Sequence, residues 1–203
     1  MEKAVIIVPS QGHDTNSFLD VAKSLKAHVY HHATIVKTTV VKTTDASGGT
    51  SSMVKFTKLD GTEFSWDPKL HLARVLTVSH SFSGAGQNLA YEAGGDIDPP
   101  DCDSTNTCLN QPWGTHANDG SLSAEGQQFW QSVGHAMQPH GKIIMLGCFM
   151  GGGEYGNSVA KATGKRVFAS TDLFGAGDST TVLKHVRAIE KGHVLKPLKS
   201  FDP

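Results

Sequence analysis

The stretch Lys142-Ile143-Ile144-Met145-Leu146-Gly147-Cys148 is a short apolar run that ends in a thiol, and three glycines follow it at 151–153. A second run of the same kind, residues 74–79, ends at His80. Short apolar runs followed by turn residues are typical of buried strands. In an open α/β sheet, the carboxyl ends of the strands border the crevice where ligands bind. The two runs therefore predict that a thiol and an imidazole meet at one edge of a sheet.

Strands and helices alternate along the rest of the chain. Residues 3–8 predict a first strand, and residues 16–26 place apolar side chains at helical spacing. The second half continues the pattern with a helix over 122–137, a strand over 142–147, a helix over 156–163, a strand over 166–170 and a helix over 180–190. Such alternation predicts an α/β fold with a mostly parallel sheet and helices on its faces, which makes three layers.

Two further features interrupt the alternation. Asp60-Gly61 lies between two segments with alternating apolar residues, which predicts a β-hairpin inserted over about residues 53–66. A long polar stretch follows at about residues 81–120, and loops of that length are usually functional or mobile. Because 203 residues suit one domain, we expect a single α/β domain over residues 1–203.

The composition excludes several classes of protein. The chain is 38% hydrophobic and 18% charged, as a globular protein is, and its net charge of −1 gives no field that attracts nucleic acid or an anionic membrane. Its apolar runs are too short to span a bilayer. The first of them is also too short for a signal peptide, so we expect a cytoplasmic protein. Export by another route, or excision from a larger protein, stays open.

Cysteine and carboxylate spacing gives no sign of a metal or a cofactor. Three cysteines are an odd number, which argues against a complete disulfide framework, although Cys102 and Cys108 share a polar loop and either pair or remain two free thiols. Four aspartates in that loop miss the spacing of an EF-hand: Asp96, Asp98, Asp101 and Asp103. Neither a CxxC nor an HExxH pattern occurs. We therefore expect no metal and no cofactor.

A thiol and an imidazole at one crevice suit a nucleophile, Cys148, and its base, His80. The glycines after Cys148 would let backbone N–H groups approach a substrate, and the start of the next helix favours negative charge. Both effects would stabilise a thiolate and an oxyanion. The alternatives are a buried structural cysteine, and an ordinary core or surface histidine, since the chain has 11 histidines.

The second half of the chain resembles caspase-like cysteine peptidases. The segments that carry the resemblance are the apolar run ending in Gly147-Cys148, the helix that begins at Gly156, Thr163-Gly164 and Ala169-Ser170-Thr171-Asp172. They are most similar to a caspase-like domain of unassigned function in large bacterial adhesins and RTX-type proteins, over about residues 74–178. The resemblance implies a caspase-like three-layer sandwich. It also implies a bacterial cysteine peptidase with His80 and Cys148 as its dyad and a peptide or protein as its substrate.

The resemblance also implies how an oxyanion would be held. The N–H of Cys148 and the backbone near Ser81 or Gly84 would donate the hydrogen bonds. Relatives usually have glycine directly after the histidine, and Ser81 stands at that place in this chain. Serine keeps the N–H but loses the conformational freedom of glycine. This departure is consistent with a second interpretation, a catalytically inactive binding or adhesion module.

Four further residues are candidates for substrate binding. Asp172 follows the strand after the nucleophile and would select a basic side chain, although aspartate is also favoured as a turn cap. His13, in the loop after the first strand, would border the crevice. Gly151 and Gly152 would offer backbone N–H groups to the substrate. The oligomeric state is left open.

Two other enzyme classes compete with the peptidase. Gly151-x-Gly153-x-x-Gly156 is a formal dinucleotide fingerprint, with Asp172 about 20 residues on, but three residues separate the strand from its first glycine. An α/β-hydrolase with a cysteine nucleophile would use Asp172 and then His185 or His193. That class needs glycine two residues before the nucleophile, where this chain has Leu146.

Overall fold

The computed structural model describes residues 3–10, 15–44, 46–48, 50–79, 122, 124–148, 150–151 and 154–203. It has four α-helices and seven strands in these residues. In chain order they are β1 (Ala4–Pro9), α1 (Thr15–His28), β2 (Thr34–Thr44), β3 (Thr50–Lys58), β4 (Leu72–Val78), α2 (Ala124–Ala136), β5 (Met137–Leu146), α3 (Tyr155–Thr163), β6 (Arg166–Ser170), α4 (Ser179–Glu190) and β7 (Leu198–Phe201).

The described strands form one sheet in the order β3-β2-β1-β4-β5-β6-β7. The five inner strands, β2, β1, β4, β5 and β6 in sheet order, run parallel. Strands β3 and β7 pair antiparallel at the two edges. Helices α1 and α4 pack on one face, and α2 and α3 pack on the other. The prediction of a three-layer α/β fold with a mostly parallel sheet is therefore confirmed.

The apolar runs in the sequence arise because both faces of the central strands are covered. In β1, Val5 and Ile7 point toward α2 and α3, whereas Ile6 and Val8 point toward α1 and α4. Every residue of β4 is buried for the same reason. Strands covered on both faces are expected to be apolar at successive positions rather than at alternate ones.

The hairpin predicted over 53–66 forms only in part, and β3 has a longer antiparallel partner. Strand β2 pairs with β3 across residues 45–49, so the antiparallel partner of β3 precedes it in the chain. The turn at Asp60-Gly61 does form, but it is followed by a single isolated bridge, Thr57–Glu63, rather than a second strand. Trp66 instead turns its ring edge-on to Phe56 and to Phe129 of α2. Burial of these rings competes with the extension of a hairpin over 53–66.

A short edge strand was missed by the sequence analysis. Strand β7 has four residues, of which only the first and last are buried, and it pairs with β6. Four residues give too little alternation for a strand signal. The ring of its last residue, Phe201, packs beside Gly151 and Gly156, which follow Cys148 in the chain.

A largely buried ion pair connects α4 with the amino end of β4, and Tyr30, which follows α1, hydrogen-bonds to it. Arg74 of β4 donates two hydrogen bonds of 2.6 Å to the Glu190 carboxylate of α4, and the Tyr30 hydroxyl donates a third, also of 2.6 Å. Burial raises the pKa of Glu190, but the hydrogen bonds from Arg74 and Tyr30 and the Arg74 charge outweigh it, so its pKa lies below the ordinary value. Burial, with help from Glu190, raises the pKa of Tyr30 far above its ordinary value.

Replacement of Glu190 by glutamine is expected to lower the free energy of unfolding at neutral pH by about 1.5–3 kcal/mol, because buried hydrogen bonds to a charged group are lost. A carboxylate with a lowered pKa stabilises the fold above its unfolded-state pKa, about 4.3, and that stability is lost as pH falls through the folded-state pKa. The difference in free energy of unfolding between variant and parent should therefore shrink as the pH falls below about 4.3 and through the lower pKa of the folded state. Urea unfolding from pH 7 into the acid range measures it.

Asp202→Asn is the matched control. Arg166 and Asp202 also lie 2.6 Å apart, but both side chains are more than half exposed. Exposed ion pairs contribute at most about 1 kcal/mol. Equal losses for Glu190→Gln and Asp202→Asn at neutral pH would contradict the role assigned to the buried pair.

Candidate functional site

Cys148 lies just beyond the carboxyl end of a central strand. The last four residues of β5 are fully buried, and Cys148 follows them after one glycine, with a half-buried side chain. Strand β5 is flanked by β4 and β6, which run in the same direction. The chain leaves β1 toward β2 and β3 and returns to the other side of β1 as β4. This reversal places a topological switch point, where ligands bind in α/β folds, between β1 and β4, one strand away from β5 and Cys148.

The register between β4 and β5 brings the two predicted site segments side by side. Val78 pairs with Leu146, and the Ser79 N–H donates to the Leu146 carbonyl at 3.2 Å. One position further along, a Cβ on Gly147 would lie 2.8 Å from the Ser79 carbonyl oxygen. Only glycine fits this approach. Ser79 immediately precedes His80, and Gly147 immediately precedes Cys148.

The Cys148 thiol is held by the loop after β6. Its Sγ accepts a hydrogen bond from the Phe174 N–H at 3.3 Å and lies 3.4 Å from the Phe174 carbonyl, to which the S–H donates. The Phe174 ring is buried among the residues between the sheet and helices α1 and α4. A backbone N–H at this distance also stabilises a thiolate. The carbonyl suits only the protonated thiol, so a reactive thiolate has to turn away from it.

Phe174 is supported in turn by a buried histidine that sequence reasoning considered only for a hydrolase triad. The His185 ring meets the Phe174 ring edge-on at 5.1 Å. Its Nδ1 lies 2.8 Å from the Thr181 carbonyl and its Nε2 lies 3.0 Å from the Lys196 carbonyl. Carbonyl oxygens only accept, so both contacts are hydrogen bonds only when both ring nitrogens carry hydrogen. With both nitrogens on backbone carbonyls, His185 does not act as the base of an α/β-hydrolase triad.

Asp172 lies at the same edge of the sheet as Cys148, since β6 is the parallel neighbour of β5. Its carboxylate is exposed and accepts the N–H of Leu173 at 2.7 Å. Its backbone is also tied to Ser170, whose hydroxyl donates to the Asp172 carbonyl at 2.6 Å. These contacts are those of a turn cap. A role in selecting a basic substrate side chain stays a prediction.

The glycine pattern after Cys148 has a packing explanation. A Cβ on Gly151 would lie 2.9 Å from the Phe201 ring, and one on Gly156 would lie 2.8 Å from it. The Gly151 N–H donates to the Ser170 carbonyl at 2.6 Å, which ties it to β6. Phe201 thus fills the space beside two of the three glycines of the formal dinucleotide fingerprint. Substrate binding by Gly151 stays a prediction.

Several predicted residues lie outside the described part of the chain. They are the catalytic candidate His80, the oxyanion candidates Ser81 and Gly84, the substrate-binding candidates His13 and Gly152, and the loop over 81–120 with Cys102 and Cys108. The described residues contain no group of three histidine, cysteine or carboxylate side chains that would hold a metal ion. In the same residues, no helix has the length and apolar character needed to cross a membrane.

Sequence reasoning missed Phe174, whose backbone contacts the Cys148 thiol, and Phe201, whose ring packs against Gly151 and Gly156. Phe174 lies in a short irregular segment between β6 and α4, and Phe201 lies on the missed strand β7. Neither belongs to a chemical motif. The only signal is indirect, because close glycines such as Gly151 and Gly156 indicate that something large packs against them.

Comparisons with known proteins give distant likeness to solved structures alone. No protein-family model matches the chain, and no curated protein matches it. Among solved structures, the chain is similar to the X-ray structure of a secreted C11 cysteine protease, iotapain, from Bacteroides thetaiotaomicron, with 12% sequence identity and a TM-score of 0.40. The likeness covers 87% of this chain and 54% of that one, so the chain spans about half of the protease's length. A likeness of this degree assigns neither a family nor an activity.

Gly156→Ala is expected to lower the free energy of unfolding by about 1–3 kcal/mol, because its methyl group would overpack against Phe201. Gly175→Ala is the matched control, since the nearest atom to its Cβ, the Cβ of Asp178, is 3.9 Å away. The control should leave stability unchanged or raise it by up to about 1 kcal/mol. Denaturant unfolding measures both variants.

A second variant separates contact with Phe201 from other effects. If Phe201 is the obstacle, Phe201→Leu and Gly156→Ala together should destabilise less than the sum of the two single changes. Strict additivity would contradict the packing role of Gly156.

Proposed function

We propose that the chain is a cysteine-dependent hydrolase of the caspase-like type, with Cys148 as nucleophile and His80 as its base. The observation that carries the proposal is the alignment of Ser79 with Gly147, which places the residues before the two candidates next to each other. The resemblance of residues 74–178 to caspase-like peptidases supports the same pair. A peptide or protein is the expected substrate.

The chemistry proceeds through an acyl-enzyme. His80 takes the proton of Cys148, the sulfur attacks a carbonyl carbon, and the leaving amine departs with that proton. The new thioester is then cleaved by water, which restores the thiol and releases the acid. The Phe174 N–H, 3.3 Å from Sγ, supports the thiolate before attack. The N–H of Cys148, together with backbone at Ser81 or Gly84, would hold the oxyanion.

A catalytically inactive binding or adhesion module is the second candidate function. The observation that favours it is the pair of contacts between Cys148 and the Phe174 backbone, because a structural thiol would also be held in this way. The two candidates differ in what happens to the thiol when the base is removed. In a module, Cys148 reacts slowly whether or not His80 is present.

Alkylation of a single thiol distinguishes the two candidates. In a chain carrying Cys102→Ser and Cys108→Ser, we expect iodoacetamide to label Cys148 faster than it labels free cysteine. His80→Ala should slow labelling and reduce kcat/KM on fluorogenic peptides by about 100-fold or more, as loss of a general base does. His31→Ala, on an exposed turn, is the matched histidine control and should change neither rate. Equal labelling in parent and His80→Ala would contradict the dyad.

Substrate preference tests Asp172 separately. With peptides that vary the residue before the cut, we expect arginine and lysine to be preferred, and Asp172→Asn to reduce kcat/KM for these peptides about tenfold or more through loss of a charged hydrogen bond. Asp202→Asn is the control, because Asp202 lies beside the amino end of β6 whereas Asp172 follows its carboxyl end. If Asp172→Asn leaves the preference as it was, the carboxylate serves only as a turn cap.

A further inference from the structure

The outer face of α4 forms one wall of a groove that the proposed hydrolase does not use. The groove has a volume of about 560 Å³ and is bounded on its other side by the segment 193–195. Its half-buried lining is apolar, from Leu183, Ala188 and Leu195. Around this floor lie three exposed cations, Lys184, Arg187 and Lys191.

Both walls of the groove are fixed by hydrogen bonds. Helix α4 ends in a turn at Gly192, whose φ of 85° is left-handed, and the N–H groups of Gly192 and His193 return to Ile189 and Ala188 at 3.0 and 2.9 Å. This is a Schellman motif, and it folds the chain back along the helix. His185 then binds the Lys196 carbonyl at 3.0 Å. The groove therefore keeps its shape without a ligand.

The charge of the groove differs from that of the whole chain. The chain has 18 basic and 19 acidic residues, yet no carboxylate is among the residues that line the groove. Glu190, on the same helix, points away from it to Arg74. Cations near a helix carboxyl end complement the helix dipole, which explains Arg187 and Lys191. That effect explains neither Lys184, in the middle of α4, nor the apolar floor.

We infer that this groove binds an acidic, extended peptide segment of a partner protein, with acidic side chains on the cations and an apolar side chain on the floor. Two of the cations, Lys184 and Arg187, lie on α4, and Lys191 caps its carboxyl end; the helix rises about 1.5 Å per residue. From Thr180 to Lys191 the groove is therefore roughly 17 Å long, the length of about five residues of extended chain. Single-stranded nucleic acid fits less well, because the His193 imidazole is the sole ring among the lining residues, which leaves successive bases without a platform to stack on.

The inference is independent of the proposed hydrolase and is tested on the full chain with Cys148→Ala, so that no cleavage occurs. The probe is a fluorescent five-residue peptide of alternating glutamate and leucine, and the reference is the same peptide with glutamine in place of glutamate. Fluorescence anisotropy should show binding of the acidic peptide and much weaker binding of the neutral one. Binding should weaken with added salt.

Charge-reversal variants locate the site. Lys184→Glu and Arg187→Glu should each weaken binding of the acidic peptide about tenfold or more, because both side chains change from attracting to repelling it. Lys161→Glu is the matched control, since Lys161 is an exposed lysine in the last turn of α3 on the opposite face of the sheet. It should leave the affinity unchanged. All of these side chains are exposed, and thermal unfolding confirms that each variant folds.

Four outcomes would overturn the inference. Two of them are absence of binding at millimolar peptide and an equal loss of affinity with Lys161→Glu. A third is capture of the chain by phosphatidylserine vesicles while the peptide does not bind, which would assign the cations to a membrane. The fourth is binding only after the acidic residues of segment 92–103 are replaced by their amides, which would make this segment of the chain itself the occupant.

Discussion

The parallel pairing of β4 with β5 is the interaction on which the proposed chemistry depends. Strand β4 and the last four residues of β5 are buried on both faces, so their register is fixed by the packing of both helix layers. That register sets Ser79 against Gly147, at a separation that only glycine permits. A shift of one residue would exchange the side chains that face the two helix layers. The position of Cys148 at the edge of the sheet is therefore a consequence of the core.

A line of contacts connects the thiol with the opposite end of α4. Cys148 touches the Phe174 backbone, the Phe174 ring meets His185, and His185 holds the Lys196 carbonyl. The last of these contacts also fixes one wall of the cationic groove. His185 therefore contacts both the loop after β6 and the segment after α4. A substitution at His185 should disturb the surroundings of Cys148 and the groove along α4.

The sequence predicted those parts of the fold that repeat a simple pattern. Four of the five parallel strands and the four helices follow from apolar runs and apolar spacing, because burial on two faces or on one leaves a clear pattern. The hairpin over 53–66 forms only in part: the turn at Asp60-Gly61 and one antiparallel bridge are present, but the rings beyond them pack on α2. Strand β7 was missed because its pairing with β6 depends on tertiary contact, which four residues do not encode locally.

The sequence predicted only those parts of the site that consist of a reactive side chain directly after a strand. Cys148 was found because a thiol after a buried strand is a recognisable arrangement. Phe174 and Phe201 were not found, since their roles come from distances across the fold rather than from any spacing along the chain. The spacing of Gly151 and Gly156 matches a dinucleotide fingerprint, but close packing of the Phe201 ring explains both glycines.

The distance between the Cys148 Sγ and the nearer ring nitrogen of His80, measured in a crystal structure, tests the central claim most directly. If the β4–β5 register delivers both groups to one crevice, this distance should be about 4 Å, and shorter when a peptide aldehyde is bound to the sulfur. A separation of about 8 Å or more in the bound state, or an imidazole on the opposite face of the sheet, would contradict the dyad.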